Sequence, residues 1–224
     1  MYVTITNHMG DDLTVVNAAR VSFAKESAAQ DGEYTEVEYN SWDGLIPVLS
    51  EADKKLINYL GKHNHWSPFG HCQLQFRITA PVFVARQLVK HQVGLTWNEV
   101  SRRYVDNKPE FYTPPDSMWR MKADNKKQGS SEETVHYDIQ AAYKFAEQCY
   151  DNMLDSGIAP EVARIVLPQS MMTEWYWSGT LYAFARVCNL RCKPDAQFET
   201  RIITDQIDEQ AKKLFPVSWE ALRC

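Results

Sequence analysis

The sequence lacks a disulfide-type cysteine pattern, an excess of positive charge and long apolar runs, and each absence argues against a class of protein. Five cysteines occur among 224 residues, an odd number without a CxxC pair, which suits reduced thiols rather than a disulfide framework. No run of about 18 apolar residues is present, so the sequence predicts no membrane-spanning helix. Lysine and arginine number 24 against 29 acidic residues, and the resulting net charge of -5 argues against non-specific binding of nucleic acid.

Two further absences concern targeting and cofactor motifs. The opening residues, MYVTITNHMGDD, lack the basic and apolar regions of a secretory signal, so we expect a cytoplasmic protein. No glycine-rich dinucleotide fingerprint occurs, so the residues alone indicate neither FAD nor NADPH. The length and an apolar content of 44% predict a single globular domain over residues 1–224.

The most informative stretch is a basic run from Arg86 to Tyr104, which reads RQLVKHQVGLTWNEVSRRY. It places arginines, a lysine, amides and hydroxyls around a single acid, Glu99, in a chain that is acidic as a whole. Guanidinium forks, amides and hydroxyls are the groups that hold a phosphate or a planar heterocycle. The alternative is a solvated basic face, because charge runs usually lie on the surface.

Two groups of residues could suggest a metal site. His63, His65 and His71 lie close together in sequence, but no cysteine or acid stands at ligand spacing beside them. Cys188 and Cys192 are four residues apart and could share one side of a helix, yet no histidine or acidic cluster in the sequence completes four ligands. We therefore predict that the protein holds no metal.

Periodicity and turn residues predict a chain of alternating strands and helices. Strands are predicted at 3–5, 73–78 and 171–177. Helices are predicted after a cap at Asp12, from a cap at Ser50 to Gly61, from Pro81 to Gly94, over 135–153, over 160–168, over 181–190, and from a cap at Asp195 to 214. The segments 25–47 and 107–133 lack periodicity and are predicted to be loops, the second of them a flap over a site. Residues Glu99 to Arg103 are expected on a loop braced by a helix.

Separated motifs, found in a fixed order along almost the whole chain, resemble those of the flavin-dependent thymidylate synthases, the ThyX family. They are Ala19-Arg20-Val21-Ser22-Phe23, the run from His65 to His71, Lys90-His91-Gln92 with the run from Thr96 to Tyr104, the run from Ala163 to Pro168, and Asn189-Leu190-Arg191 with the run from Ala196 to Glu199. Lys90 and Gln92 stand where the family usually has arginine, and the spacer near Gly94 is one residue longer. Thr180, Tyr182 and Arg186 also depart from the usual pattern.

This resemblance implies a fold and a reaction. The fold is α+β, an antiparallel sheet packed with helices, in a homotetramer whose flavin sites are shared between subunits. The reaction is the reductive methylation of dUMP to dTMP, with FAD as cofactor, NADPH as reductant and 5,10-methylenetetrahydrofolate as carbon donor. An unrelated class of thymidylate synthases adds a cysteine to the pyrimidine ring, but no cysteine here lies in a Pro-Cys-His setting of that kind. Neither nucleic acid nor a membrane is an expected partner.

The resemblance also implies roles for individual residues. Arg191 would be the catalytic residue, because a fixed guanidinium can stabilise negative charge on N3 and O2 of the pyrimidine. Contacts with dUMP are implied for Gln87, Lys90, Glu99, Ser101, Arg102, Arg103, Arg164 and Arg191. Contacts with FAD are implied for Ser22, His65, Ser67, Lys90, His91, Gln92, Glu99, Thr180, Tyr182 and Arg186. From spacing alone, Arg164 is a helix arginine that pairs with Glu161.

Three other functions stay open from the sequence. The basic run and the aromatic residues could bind nucleic acid, in which case binding would depend steeply on salt concentration. A ThyX-like protein with altered nucleotide specificity or lost activity is the main alternative, because of the departures from the family pattern. The third alternative is a scaffold protein whose motifs only build its core.

Overall fold

A computed structural model describes residues 1–39, 42–124 and 129–223. Within these ranges the chain forms helices packed on an antiparallel sheet, which confirms the expected α+β fold. The strands are β1 (Tyr2–Met9), β2 (Tyr34–Tyr39), β3 (Trp42–Pro47), β4 (Gln73–Pro81), β5 (Leu95–Glu99), β6 (Arg120–Lys122), β7 (Ser130–Thr134) and β8 (Met172–Thr180). The helices are α1 (Asp12–Arg20), α2 (Glu51–Lys62), α3 (Val82–Leu88), α4 (Gln140–Asp155), α5 (Pro160–Ala163), α6 (Leu181–Arg191), α7 (Phe198–Leu214) and α8 (Pro216–Leu222). None of the helices in the described ranges has both the length and the apolar character needed to cross a bilayer.

The main sheet has the strand order β1-β4-β8-β5, with every neighbouring pair antiparallel. Its two central strands pair along their whole length, from Gln73 opposite Thr180 to Pro81 opposite Met172. Side chains alternate between the two faces of a strand, so one face of β4 and β8 is buried. The buried members are Leu74, Phe76, Ile78, Ala80, Thr173, Trp175, Trp177 and Gly179.

The core lies between this buried face and the helices α6, α7 and α8. Phe184 of α6 meets Phe76 and Trp177 edge-on, with ring centroids 5.0 and 5.2 Å apart. The apolar face of α7 is buried as the sequence predicts, at Ile203, Ile207, Ala211 and Leu214. Packing on both sides therefore fixes α6, whose last residue is Arg191, relative to the central strands.

The first helix is capped by a different aspartate from the one expected. Asp11, not Asp12, occupies the N-cap, where its carboxylate accepts a hydrogen bond from the N–H of Thr14 at 2.8 Å. Asp12 is buried and accepts from the N–H groups of Val217 and Ser218 at 2.8 and 2.9 Å. Asp11 and Asp12 are both of a residue type that can cap a helix, so the sequence does not distinguish them. In the structure, Asp12 accepts hydrogen bonds from the free N–H groups at the start of α8. The Ser50 cap of α2 is confirmed by the hydrogen bond from the N–H of Asp53 to Ser50 Oγ.

Both segments that were expected to be loops contain strands. Residues 25–47 include the hairpin of β2 and β3, and residues 107–133 include the hairpin of β6 and β7. These predictions were wrong because β6 and β7 are short and largely polar, whereas β2 and β3 mix aromatic, aliphatic and acidic residues without a regular alternation of apolar and polar positions. The run Lys126-Lys127-Gln128 of the expected flap lies outside the described residues.

Four boundaries of predicted elements also differ from the sequence prediction. Helix α3 ends at Leu88, and Gly94 instead adopts φ = 76° in the turn that leads into β5. Glu99 is the last residue of β5, so it lies on a strand rather than on a loop. Helix α7 has Gln197 at its N-cap, not Asp195, and no side chain caps it. Helix α4 begins at Gln140 rather than at 135, because β7 and the turn after it occupy the preceding residues.

Gly179 of β8 leaves room for the backbone at the start of β5. A Cβ at this position would lie 2.4 Å from the backbone oxygen of Gly94 and 2.5 Å from Leu95 Cδ2. We expect Gly179→Ala to lower stability by about 2 kcal/mol, seen as a fall in Tm of roughly 5 °C. Gly70→Ala is the matched control, since its nearest contact would be Trp66 Cζ3 at 3.6 Å. Equal melting temperatures for the two variants would contradict this account of the contact between β5 and β8.

Candidate active site

A cavity of about 590 Å³ at the end of β5 is lined by three of the residues expected to contact dUMP. Glu99, Arg102 and Arg164 line it, although they come from different parts of the chain. Arg86 and Lys108 add two further cations, and the acids Glu110 and Glu174 complete its charged lining. We call this space the arginine cavity. Several guanidinium groups around one cavity are suited to an anionic ligand.

The two strands beside the arginine cavity hold Glu99 in a defined orientation. Its Oε1 accepts a hydrogen bond from Thr173 Oγ1 at 2.8 Å, and its Oε2 accepts from Trp97 Nε1 at 3.1 Å. The Trp97 ring is itself stacked on Trp175, with centroids 4.5 Å apart. Residues of both β5 and β8 therefore hold the carboxylate in place. The sequence did not predict the contact with Thr173.

Glu161 connects the two arginine segments in an unexpected way. Its carboxylate accepts from Arg103 Nε at 3.1 Å, whereas Arg164 Nε donates to the Glu161 backbone carbonyl at 3.1 Å. The predicted side-chain pair between Glu161 and Arg164 is therefore wrong. The loop after β5 lies near α5 in space, so Arg103 reaches the carboxylate instead.

Ser101 begins a tight turn that positions the arginines after β5. Its carbonyl accepts from the N–H of Tyr104 at 3.0 Å, and its Oγ accepts from the N–H of Arg103 at 3.3 Å. Arg102 Nη1 donates to the backbone carbonyl of Asn107. The Ser101 hydroxyl thus shapes the turn, which is consistent with a contact role rather than a nucleophilic one.

Arg191, the expected catalytic residue, is held by His91. The guanidinium Nε of Arg191 donates to His91 Nε2 at 3.0 Å, which joins the end of α6 to the turn after α3. Burial lowers the pKa of His91 below its ordinary value, and the positive charges of Arg191 and Arg186 lower it further. A neutral histidine whose Nε2 accepts must carry its proton on Nδ1. An arginine held through Nε can offer both Nη groups to a ligand.

Gln87 belongs to a chain of hydrogen bonds that links α3 to the start of α7. Thr200 Oγ1 donates to Gln87 Oε1 at 3.2 Å, and Gln87 Nε2 donates to Gln197 Oε1. Gln197 Nε2 in turn donates to Glu199 Oε2 at 3.1 Å. We call these four residues the amide relay. Gln197 and Glu199 lie in the motif Ala196–Glu199, but no sequence pattern predicts that this motif is linked to Gln87.

Three of the residues expected to contact flavin line a second cavity, of about 880 Å³. Ser22, His65 and Ser67 all lie on its surface. Exposed aromatic rings share this lining, including Phe23 at 76% and Trp66 at 59% exposure. We call it the aromatic cavity. Large aromatic surfaces left in water beside hydroxyls suit a flat heterocycle or a second protein surface.

The remaining expected flavin residues lie elsewhere on the chain. Thr180 caps α6, because its Oγ1 accepts from the N–H of Ala183 at 3.1 Å. Tyr182 and Arg186 line a third cavity of about 620 Å³, with Lys62 on its other side. The structure does not place these two residues in the lining of the aromatic cavity, although the rings of Tyr182 and Trp66 are 6.3 Å apart.

Lys90 and Gln92, which depart from the family pattern, are exposed in the turn between α3 and β5. Arg86, one turn earlier on α3, lines the arginine cavity, although the sequence analysis assigns it no contact. Its place in the same basic run was the signal that could have identified it. The turn therefore carries His91, facing Arg191, between two exposed polar side chains.

Within the described residues, one group of potential metal ligands comes together, at Cys188, Cys192 and Asp208. The sequence shows no histidine or acidic cluster that would complete four ligands with the two cysteines, and the fold brings one acid, Asp208 of α7, beside them. This carboxylate already accepts from Trp219 Nε1 at 2.9 Å and from Arg223 Nε at 2.6 Å. A guanidinium beside the carboxylate disfavours a cation there, so the group is better explained as packing between α6, α7 and α8.

Comparison with known proteins supports a single family. Residues 4–217 match the family described as thymidylate synthase complementing protein. A flavin-dependent thymidylate synthase of Thermus thermophilus is 35% identical over 98% of this chain and 74% of its own length. This chain belongs to the flavin-dependent thymidylate synthase family. Another family member, from Kosmotoga olearia, is 35% identical over 98% of this chain and 89% of its own length.

A solved structure extends the family relationship to the fold. The UMP/dUMP methylase PolB from Streptomyces cacaoi, bound with 5-Br dUMP, superimposes with a TM-score of 0.79 and is 31% identical. The alignment covers 98% of this chain and 93% of PolB. At this identity and coverage, the ThyX-like fold is confirmed for almost the whole chain.

Proposed function

We propose that this protein is a flavin-dependent thymidylate synthase, which converts dUMP to dTMP with 5,10-methylenetetrahydrofolate as carbon donor and NADPH as reductant. Residues 1–224 act as a single domain in this proposal. Family membership over residues 4–217 is the observation that carries it. The related methylase PolB is bound with 5-Br dUMP, which supports dUMP as the substrate here.

The Arg191–His91 pair supplies the chemistry that the pyrimidine ring requires. Carbon C5 becomes nucleophilic when negative charge on N3 and O2 is stabilised, and a guanidinium that stays charged and offers a fork does this well. His91 fixes Arg191 through Nε, so the Nη groups are oriented before the nucleotide arrives. Arg191 is therefore assigned the catalytic role.

The arginine cavity is assigned to the phosphate of dUMP. Arg102 and Arg164 line it, and Ser101 and Arg103 form the adjoining turn. Glu99, held by Thr173 and Trp97, contributes an acceptor suited to a nucleotide hydroxyl or to a flavin N–H. Gln87 and Lys90 are assigned to the nucleotide as well, from α3 and the turn that follows it.

The aromatic cavity fits FAD by its chemistry. Aromatic rings suit stacking on a flat ring system, and Ser22, Ser67 and His65 offer hydrogen bonds beside them. Arg20, held by Asp53 through an ion pair of 2.5 Å, adds positive charge at the cavity lining. His91, Gln92, Thr180, Tyr182 and Arg186 are assigned to the same cofactor. When bound, reduced FAD supplies the hydride of the reaction.

The fully buried cysteines do not suit the alternative chemistry, in which a thiolate adds to the pyrimidine. Burial raises the pKa of Cys72 to about 12, and Asp11 and Asp12 reinforce the shift. Burial raises the pKa of Cys188 well above its ordinary value too. A thiol that stays protonated and has no exposed surface is a poor nucleophile.

We also propose that the protein is a cytoplasmic homotetramer whose flavin sites are shared between subunits. Neither nucleic acid nor a membrane is a partner in this proposal. The assigned residues support sharing, because the arginine and aromatic cavities of one chain have no lining residue in common among the residues that the structure describes. Exposed apolar side chains beside the site residues, such as Ile165 at 78% and Leu190 at 56% exposure, suit a subunit contact. Light scattering should give the mass of four chains, and a monomer at micromolar concentration would contradict the tetramer.

The neutral state of His91 predicts a loss of activity in acid. The unfolded-state pKa is near 6.5 and the folded pKa is lower, so protonation below pH 6.5 removes the Nε2 acceptor and adds positive charge beside Arg191 and Arg186. Because the unfolded state binds this proton at a higher pH than the folded state, the contribution of His91 to the free energy of unfolding is present above pH 6.5 and is lost as the pH falls through the folded pKa. We expect kcat/KM for dUMP in the wild type to fall in acid as the pH drops through this lowered pKa of His91.

His91→Gln separates this effect from the titration of the dUMP phosphate. Glutamine can accept from Arg191 Nε but does not titrate, whereas the phosphate, with a second pKa of about 6, titrates in both proteins. The acidic fall should be shallower in the variant. Identical pH profiles would show that His91 does not control Arg191.

A spectrum tests the cofactor and substrate assignments together. The purified protein, supplied with FAD, should show flavin absorption bands that bleach under NADPH without oxygen, and faster with dUMP present. UMP and dCMP in parallel cuvettes test the choice of nucleotide. A protein that takes up no FAD would overturn the proposed function.

A further inference from the structure

The amide relay has only one consistent direction, and Glu199 sets it. A glutamine side chain can in principle be turned over, exchanging its donor and acceptor ends. A carboxylate only accepts hydrogen bonds, so Gln197 must place its Nε2 toward Glu199. Gln197 Oε1 then points toward Gln87. Because this oxygen accepts, Gln87 must donate to it through its own Nε2. Turning either amide over would set two acceptors against each other.

The relay also decides which end of Gln87 a ligand can reach. Gln87 Oε1 accepts from Thr200, a residue of α7 with no exposed surface. Its Nε2 lies on the side of Gln197, which is only half-buried at the start of α7. An amide nitrogen carries two hydrogens, and the bond to Gln197 uses one of them. The accessible end of Gln87 is therefore a donor.

We propose that Glu199 is a positioning residue which, through Gln197, makes Gln87 present an N–H donor to an acceptor oxygen of the nucleotide. The inference rests on the proposed function, in which Gln87 contacts dUMP. The acceptor is either a carbonyl oxygen of the uracil ring or an oxygen of the phosphate. Glu199 itself does not touch the substrate.

Charge and amide exchanges within the relay test this inference. Glu199→Lys puts a donor where the acceptor was, which turns both amides over and leaves a carbonyl toward the nucleotide. We expect dUMP binding to the FAD-loaded enzyme to weaken about tenfold or more. Glu199→Gln allows both directions and should weaken binding only about twofold. Gln197→Glu combined with Glu199→Gln moves the acid one place along the relay and should restore wild-type affinity.

A matched control separates orientation from long-range electrostatics. Glu209→Lys makes the same change of charge on α7, at a side chain that is 67% exposed, and should leave dUMP affinity unchanged. Titration calorimetry with dUMP and with deoxyuridine identifies the acceptor. A loss on both ligands indicates the ring, and a loss on dUMP alone indicates the phosphate.

The outcomes that overturn the inference are distinct from failure of the proposed function. A wild-type enzyme that binds no dUMP would remove the proposed function itself. A wild type that binds dUMP, with Glu199→Lys binding equally well, would overturn only the relay. If Glu199→Lys does not fold, the comparison moves to Glu199→Gln and the double variant, and equal affinities for these two would also overturn it.

Discussion

Replacing Arg191 with alanine is expected to lower the rate of dTMP formation by about a hundred- to a thousandfold, because one preorganised donor at the developing charge is worth this much in comparable sites. The loss should appear in kcat, since the interaction strengthens as charge builds on the pyrimidine. Flavin content and Tm should stay close to those of the wild type. Single-turnover measurements with reduced enzyme give the chemical step directly.

Arg191→Lys is the informative companion to this variant. Lysine keeps the positive charge but loses the planar fork and the Nε donor to His91. Its activity should fall between those of the wild type and Arg191→Ala. An alanine variant within about tenfold of the wild type would remove Arg191 from the catalytic role, whatever else in the site is correct.

The second large effect is expected at the arginine cavity. Arg164→Ala should weaken dUMP binding by roughly 2–3 kcal/mol, or about 30- to 150-fold, because a charged contact to the phosphate is lost. Binding of deoxyuridine, which lacks the phosphate, should change little. This difference between two ligands cannot come from a general loss of structure.

Lys54→Ala provides the control for Arg164→Ala. Lys54 is an exposed cation on α2 that pairs with Glu51 and lines none of the three cavities. Like Arg164→Ala, the substitution Lys54→Ala removes one positive charge, but it leaves the lining of the arginine cavity unchanged. If both variants weakened dUMP binding equally, or if Arg164→Ala weakened deoxyuridine equally, the phosphate assignment would be wrong.

The central strands β4 and β8 could be predicted from the sequence, because their burial produces a recognisable pattern of residue types within each strand. Strand β4 alternates between buried apolar and polar residues, and the aromatic residues of β8 mark a buried strand. The hairpins and β5 leave no such pattern, since β5 has polar and exposed residues along most of its length. Its place at the sheet edge depends on pairing with β8 and on the close approach at Gly179.

For the site as well, features set by neighbouring residues could be predicted from the sequence, whereas contacts between distant residues could not. Motifs indicated Arg191, Glu99 and the arginines, because their residue types at those spacings are specific to the family. The contacts that orient them could not be predicted, because His91 and Arg191 are 100 residues apart and Gln87 and Gln197 are 110 apart. Such pairs are set by how α3, α6 and α7 pack together, and periodicity gives only the face of each helix.

Formation of dTMP is the measurement that tests the central claim most directly. The FAD-loaded protein should be incubated with dUMP, 5,10-methylenetetrahydrofolate and NADPH, and the nucleotides separated by chromatography. The proposed function requires dTMP in the complete mixture and none when FAD, NADPH or the folate is omitted. Full reduction of the flavin by NADPH without any dTMP would contradict it.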